Sequence, residues 1–474
     1  MIVALLLASI AVAQCQVVPL WIREPQFYYQ NEESANIRME VFLDPVSPVS
    51  NATWTVMKQL AANYGRGTMS LKYFVHPVSY RRSSFPAVQA FFVVNSLSPA
   101  NSLAFLETVM SRADEFTDEA ANKYTTEQIT KKFSLIFQEV TGLPAFYFDA
   151  YFERFRGTAM AQWKYAVRRG VADGPWFFLN GVDMIKPADK VVGFAEWTRL
   201  LNQFVRSYEG SNFALNDEGN FTTAVPPKTT TEPMTKSTAS NVKTTKEQPT
   251  FTNATTVGPS TTQTPRPTPA PVNTRPQVLR VPRQLPGYVY SGDSDAQYHI
   301  EMYVEPLCPG SSSQYKILKQ LVQMYGPKKL RYTLLPFPLI FHTNGFVTVQ
   351  GYMQVLDKAP ENITKYMDIM YDEGIILLSN GIAEQFTRAE TIEHLAEIQA
   401  EATGISEESF VANFEKYFQD AKDAWQQAGR RGVASTPWYF VNGVEINTES
   451  DITYRMSLSD WERTIAEWDA ANKN

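Results

Sequence analysis

Cysteine is almost missing from this chain: among 474 residues there are two, Cys15 and Cys308. Two thiols cannot staple a disulfide scaffold, so any domain here has to be held by an apolar core. Histidine is nearly as scarce, with His76, His299, His342 and His394 scattered along the chain. A basic excess is absent too: 43 Lys and Arg against 49 Asp and Glu leave a net charge of −6, which argues against a nucleic-acid partner. After the N-terminus no apolar run is long enough to span a bilayer, and the polar ending "AEWDAANKN" excludes a glycolipid-anchor signal, so no membrane partner is expected.

What is present starts with "MIVALLLASIAVAQC", a short apolar run ending in Ala11-Val12-Ala13 that reads as a signal peptide over residues 1–13. Basic residues are missing from its n-region. The expected destination is the secretory pathway and the extracellular space. Sequons at Asn51, Asn220, Asn253 and Asn362 fit that route as glycosylation candidates. Between about Phe221 and Arg275 roughly a third of the residues are Thr and Pro is frequent, as in "TPRPTPAP". Such a segment cannot bury enough apolar surface to offset its ordering entropy. It reads as a disordered, mucin-like spacer, long enough to hold its flanks well over about 100 Å apart. The length of the chain allows two or three domains. The expected organisation is domain 1 at 17–212, linker at 213–285 and domain 2 at 286–474.

The flanks repeat each other. "NYG" at Asn63–Gly65 matches "MYG" at Met324–Gly326 at an offset of 261, and Thr141-Gly142 matches Thr403-Gly404 at 262. "RRGVADGPWFFLNGV" from Arg168 matches "RRGVASTPWYFVNGV" from Arg430, again at 262. The chain is therefore read as a tandem duplication. Within a copy, "IRMEVFL" or "IEMYVE" reads as a strand, "SSQYKILKQLVQMYG" as a helix stopped by Gly326, and "LRYTLLPF" as a second strand, which together suggest a βαβ unit. A helical block follows, with a capping box at Thr387–Glu390. "PWYFVNGV" then returns as a strand with an Asn-Gly hairpin, and "LSDWERTIAEW" closes the copy as a helix.

The first strand-to-helix turn is "DPVSPVS" (Asp44–Ser50) in copy one and "EPLCPGS" (Glu305–Ser311) in copy two, and about 128 residues later each copy carries G-V-x-x-x-P-x-x-F-x-N-G. This pairing resembles the DsbA-like thioredoxin-fold disulfide oxidoreductases over roughly residues 30–210 and 292–470. The resemblance implies an α/β fold of two tandem thioredoxin-like (DsbA-like) domains, each a βαβ-containing sheet with a helical insertion. In that family the turn carries Cys-x-x-Cys at a helix N-terminus, which favours the thiolate. Carried over, the nucleophile position is Ser47 or Cys308 and the resolving position Ser50 or Ser311. Neither copy has the pair, so the redox motifs are degenerate and Cys308 is a monothiol, expected to be partly exposed ahead of the alternative of a buried, inert cysteine. Pro175 and Pro437 are implied to be cis and, with Gly174 and Thr436 before them, to present a backbone edge to an extended peptide. "DPVSPVS" is also similar to the D-x-x-S-P motif of kappa-class glutathione transferases, which would make glutathione the cofactor, although "DMIKPADKVV" after Val182 departs from that class.

Four further readings complete the expectations. The histidines do not coincide between copies, so no metal site or acid–base pair is expected, and they are read as solvated or structural. Trp176-Phe177 and Trp438-Tyr439 are assigned to core packing. Arg168-Arg169 and Arg430-Arg431 are read as complements to the helix C-termini before Gly170 and Gly432. Two classes of function follow: a secreted peptide- or protein-binding module, and a residual enzyme exchanging disulfides through Cys308 or transferring glutathione at Ser47.

Overall fold

The computed structural model describes residues 27–32, 34–184, 190–209, 213–215, 221–223, 286–446 and 456–472. The segment read as a signal peptide, Cys15, Asn220, Asn253 and nearly all of the Thr/Pro-rich stretch lie outside them.

Each half is built on a five-stranded sheet of the same order. In the first half the strands run Phe27–Gln30, Met69–Val75, Ile37–Leu43, Trp176–Leu179 and Val182–Asp183 across the sheet. In the second they run Tyr288–Ser291, Leu330–Pro336, Tyr298–Val304, Trp438–Val441 and Val444–Glu445. The central strand pairs parallel with the strand after the first helix, as the βαβ reading requires, and antiparallel with the strand that follows the proline. Central strands are buried on both faces, which is why Val41, Phe42 and Leu43, like Met302, Tyr303 and Val304, form unbroken apolar runs.

Local chemistry sets the element ends. The helices Pro48–Tyr64 and Pro309–Tyr325 begin with Pro in the first turn and stop at Gly65 and Gly326, whose φ of 69° and 73° suits glycine. Capping boxes start both long helices of the insertions, at Thr125 with Gln128 and at Thr387 with Glu390. The hairpins turn on Asn180-Gly181 and Asn442-Gly443, all four at positive φ as a type I′ turn needs. Both asparagines do more than turn: Asn180 Oδ1 accepts from Arg38 N, and Asn442 Oδ1 from His299 N, each at 2.8 Å. The hairpin is thereby tied to the central strand.

The two halves, expected to stand apart, belong to one compact unit over the described residues up to 205 and from 286 onward; in a second unit Phe213–Leu215 pairs antiparallel with Phe221–Thr223. The halves meet through reciprocal contacts. Arg168 Nη1 donates to Gly432 O at 3.0 Å and pairs with Glu445, while Arg430 Nη1 donates to Gly170 O at 3.1 Å and pairs with Asp183 at 2.7 Å. Each guanidinium also covers the other half's tryptophan, Arg168 over Trp438 and Arg430 over Trp176. These arginines therefore bridge the halves, correcting their reading as local helix-end complements, and the two tryptophans, buried as expected, are interface residues too. Apolar contacts obey the same exchange: Trp163 packs on Phe341, and Tyr80 on Trp425, equivalent pairs at offsets 261 and 262. Contacts of this kind, residue i to j and j to i, define an approximate two-fold axis.

The structure overturns the solvated reading for His76. It is fully buried beside the Phe42 ring, neither ring nitrogen has a hydrogen-bond partner, and the second half carries Phe337 at the matching position. Burial pulls its pKa down to about 3. An unfolded chain protonates this imidazole near pH 6.5, whereas the folded one keeps it neutral, so the unfolded state binds more protons and stability falls as pH drops from about 6.5 toward 3. Unfolding measured between pH 7 and 4 is expected to lose up to about 1.4 kcal/mol per pH unit more in the wild type than in His76→Phe. Parallel pH profiles would refute this assignment. A second expectation concerns the interface: proteolytic cleavage within 224–278 should leave two fragments that co-elute, and Arg168→Ala with Arg430→Ala should separate them on a sizing column.

Candidate functional site

The C-terminal end of each central strand carries a buried acid, Asp44 or Glu305, three residues before the family's nucleophile position. A carboxylate there must find partners on every side. In the second half Glu305 Oε1 accepts from Leu339 N at 2.8 Å and Oε2 pairs with His342 Nδ1. The first half reaches the same result with one methylene less. Asp44 Oδ1 accepts from the Ser84 hydroxyl at 2.7 Å, that hydroxyl accepts from Val78 N at 3.0 Å, and Oδ2 pairs with Arg81 at 2.6 Å. Val78, Arg81 and Ser84 match Leu339, His342 and Gly345 at offset 261. A Cβ at Gly345 would strike Glu305 Oε1, so the longer acid and the glycine go together. Burial pushes the Asp44 carboxyl up, with Arg81 and the Ser84 hydroxyl opposing.

The sequence motif contained both acids but gave them no role, and their basic partners were missed. Comparing the copies by identity hides an Arg opposite a His, whereas a search for a basic residue 37 residues after the acid finds Arg81 and His342 together.

The turn residues are held by their own hydrogen bonds. Ser50 Oγ accepts from Asp44 N at 3.1 Å and Ser311 Oγ from Glu305 N at 3.3 Å, with both serines buried. Ser47 is buried too and caps its helix by accepting from Ser50 N at 3.4 Å. Cys308 caps nothing with its side chain: the thiol donates to Thr436 O at 3.3 Å and is 1% exposed, beside buried Tyr371 and Tyr439. Burial pushes the Tyr371 and Tyr439 phenols well up, and the neighbouring Cys308 adds to both. The expectation of a partly exposed thiol is therefore wrong, because the turn is roofed by the proline segment and by core tyrosines. Gly174–Pro175 and Thr436–Pro437 are cis peptides, and all four residues are buried in the packed pair, so no open backbone edge is presented. Asn51 and Asn362 lie partly exposed, at the first turn of the Pro48–Tyr64 helix and at the end of the Pro360–Asn362 turn.

With sheet order, helical insertion, turn and cis-proline segment described, the architecture is decided. Each half has a thioredoxin-like fold with a helical insertion. Solved structures similar to the chain include BdbD from Bacillus subtilis, at 15% identity and TM-score 0.30, covering 38% of this chain and 92% of that one. A second is DsbA from Chlamydia trachomatis, at 14% identity and TM-score 0.30, covering 43% and 100%. A third is a periplasmic thioredoxin-like protein from Salmonella enterica serovar Typhimurium, at 14% identity and TM-score 0.28, covering 39% and 91%. No family model and no curated protein matches the chain.

A cleft of about 1000 Å³ opens beside the Asp44–Arg81 and Glu305–His342 pairs. Its walls combine Arg81, Phe85 and Arg156 of the first half with Phe341, His342 and Glu384 of the second. Among the described residues no helix is long and apolar enough to cross a membrane.

Two measurements check the turn geometry. Ser50→Ala and Ser311→Ala each strand a buried backbone amide and should cost about 1–3 kcal/mol of unfolding free energy. Iodoacetamide should label Cys308 far more slowly in the native protein than in denaturant; equal rates would mean that the turn opens freely.

Proposed function

We propose that the protein is a secreted tandem thioredoxin-fold binding protein that takes extended peptides and does not catalyse dithiol exchange. The observation that carries this reading is the state of the four redox positions beside an open cleft. A dithiol catalyst needs an accessible attacking thiolate and a second thiol to release the mixed disulfide. Ser47 and Ser50 supply neither. Cys308 lies in the core, and the Ser311 hydroxyl is committed to Glu305 N. Partner access is left to the cleft, whose mixture of guanidinium, carboxylate and aromatic groups suits a peptide. The apolar run at 1–13 and the sequons support secretion.

Two enzyme readings stand as alternatives, monothiol exchange through Cys308 and glutathione transfer at Ser47. Either requires its turn to open, since both side chains are buried. The full-length protein is expected to show no catalysed reduction of a protein disulfide by dithiothreitol, and to bind members of an extended-peptide library. Turnover at the level of a dithiol oxidoreductase, or no binding to any peptide, would reject the proposal. Binding of millimolar glutathione that disappears in Ser47→Ala would favour the transferase instead.

A further inference from the structure

The two-fold relation means that each surface between the halves occurs in two versions. The open cleft has a counterpart lined by Tyr80, Phe346, Arg388, Glu415 and Phe418, with only about 70 Å³ of space. Matching positions explain the difference. In the closed version Phe418 packs against Phe346 and Tyr80, with ring centroids 5.2 and 6.1 Å away, and Arg388 crosses to Glu415. In the open version Arg156 stands where the other half has Phe418, and Thr126 stands where it has Arg388. Thr126 is too short to reach Glu153, the equivalent of Glu415.

Four charged groups of the open cleft consequently form no direct ion pair. Among the described residues Arg82, Arg156, Glu153 and Glu384 form no ion pair, whereas Arg81, His342 and Lys131 are matched by Asp44, Glu305 and Asp149. Arg156 donates to Phe341 O and lies over the Phe85 ring, and Arg82 donates to Phe386 O and, at 3.4 Å, to Thr126 Oγ1. The Nε of Arg82 is buried without a hydrogen-bond partner. Burial pushes the Glu384 carboxyl up, Arg156 and Arg82 oppose it, and Glu153 adds to it, so these groups share one electrostatic environment. Glu127 adds a further carboxylate at the exposed rim. Cations and carboxylates held apart around an aromatic wall are matched by a ligand carrying both signs.

We infer that the open cleft binds a short peptide with both termini free, its carboxylate on Arg82 and Arg156, its ammonium on Glu153 and Glu384, and its apolar side chain against Phe85 and Phe341. This deepens the peptide-binding reading and rests on it.

The test uses the full chain and the tripeptide Gly-Phe-Gly, followed by calorimetry or ligand-observed magnetic resonance. N-acetylation and C-amidation should each weaken binding by about tenfold, the loss of one charge-assisted contact. Arg156→Phe with Thr126→Arg transplants the closed cleft into the open one and should abolish binding while the melting temperature is kept. Glu384→Gln, which leaves the packing alone, should weaken the free tripeptide while leaving the N-acetylated form unchanged. Equal affinity for all three peptides, or unchanged binding in both variants, would overturn the cleft assignment. If the extended-peptide library binds but Gly-Phe-Gly does not, this inference fails while the broader reading stands, and if nothing binds, both fail.

Discussion

A carboxylate buried at the end of a central strand governs much of each half. Left unmatched, such a group would cost several kcal/mol, so amides, a hydroxyl and a cation must be brought to it from separate parts of the chain. Asp44 and Glu305 each draw in the loop after the neighbouring strand, through Val78 and Arg81 or through Leu339 and His342. Those loops form walls of the space between the halves. The turn that carries Ser47 or Cys308 hangs from the same strand end through the hydroxyl of Ser50 or Ser311. Strand end, turn, loop and cleft are one connected piece of hydrogen bonding.

On that base the two halves share a geometry while differing in chemistry. Arg168 and Arg430 exchange places across the two-fold, and so do the pairs Trp163–Phe341 and Trp425–Tyr80. The thiol, however, is kept in one half only, and the large cleft in one version only. A serine caps the helix where a cysteine turns to a backbone carbonyl instead.

Much of the fold was legible in the chain because its signals are local. The alternation of "IRMEVFL", the Thr387–Glu390 capping box and the Asn-Gly hairpins each depend on neighbours within a few residues. The duplication itself announced the second domain. What escaped were relations across the molecule. Nothing near Arg168 points to Gly432, and nothing near His76 tells that its surroundings are dry. Cys308 looked exposed because a helix start between two prolines is usually a surface turn, yet here the Thr436–Pro437 segment and the tyrosines cover it. The acids stood in plain view within the motif, but their partners differ in residue type and so did not register as a repeat.

The pairing of Asp44 with Ser84 and of Glu305 with Gly345 has a consequence for how such copies drift apart. Changing the acid first, to Glu beside Ser, forces a side chain into the occupied space that a Cβ at Gly345 would also enter. Changing the serine first, to Gly beside Asp, leaves the Val78 amide and one carboxylate oxygen facing an empty gap. Both single steps pass through a destabilised intermediate, so a lineage crosses between the two solutions only when spare stability is available. A recombinant that joined the strand of one half to the loop of the other would therefore combine an acid with the wrong partner and be less stable than either parent.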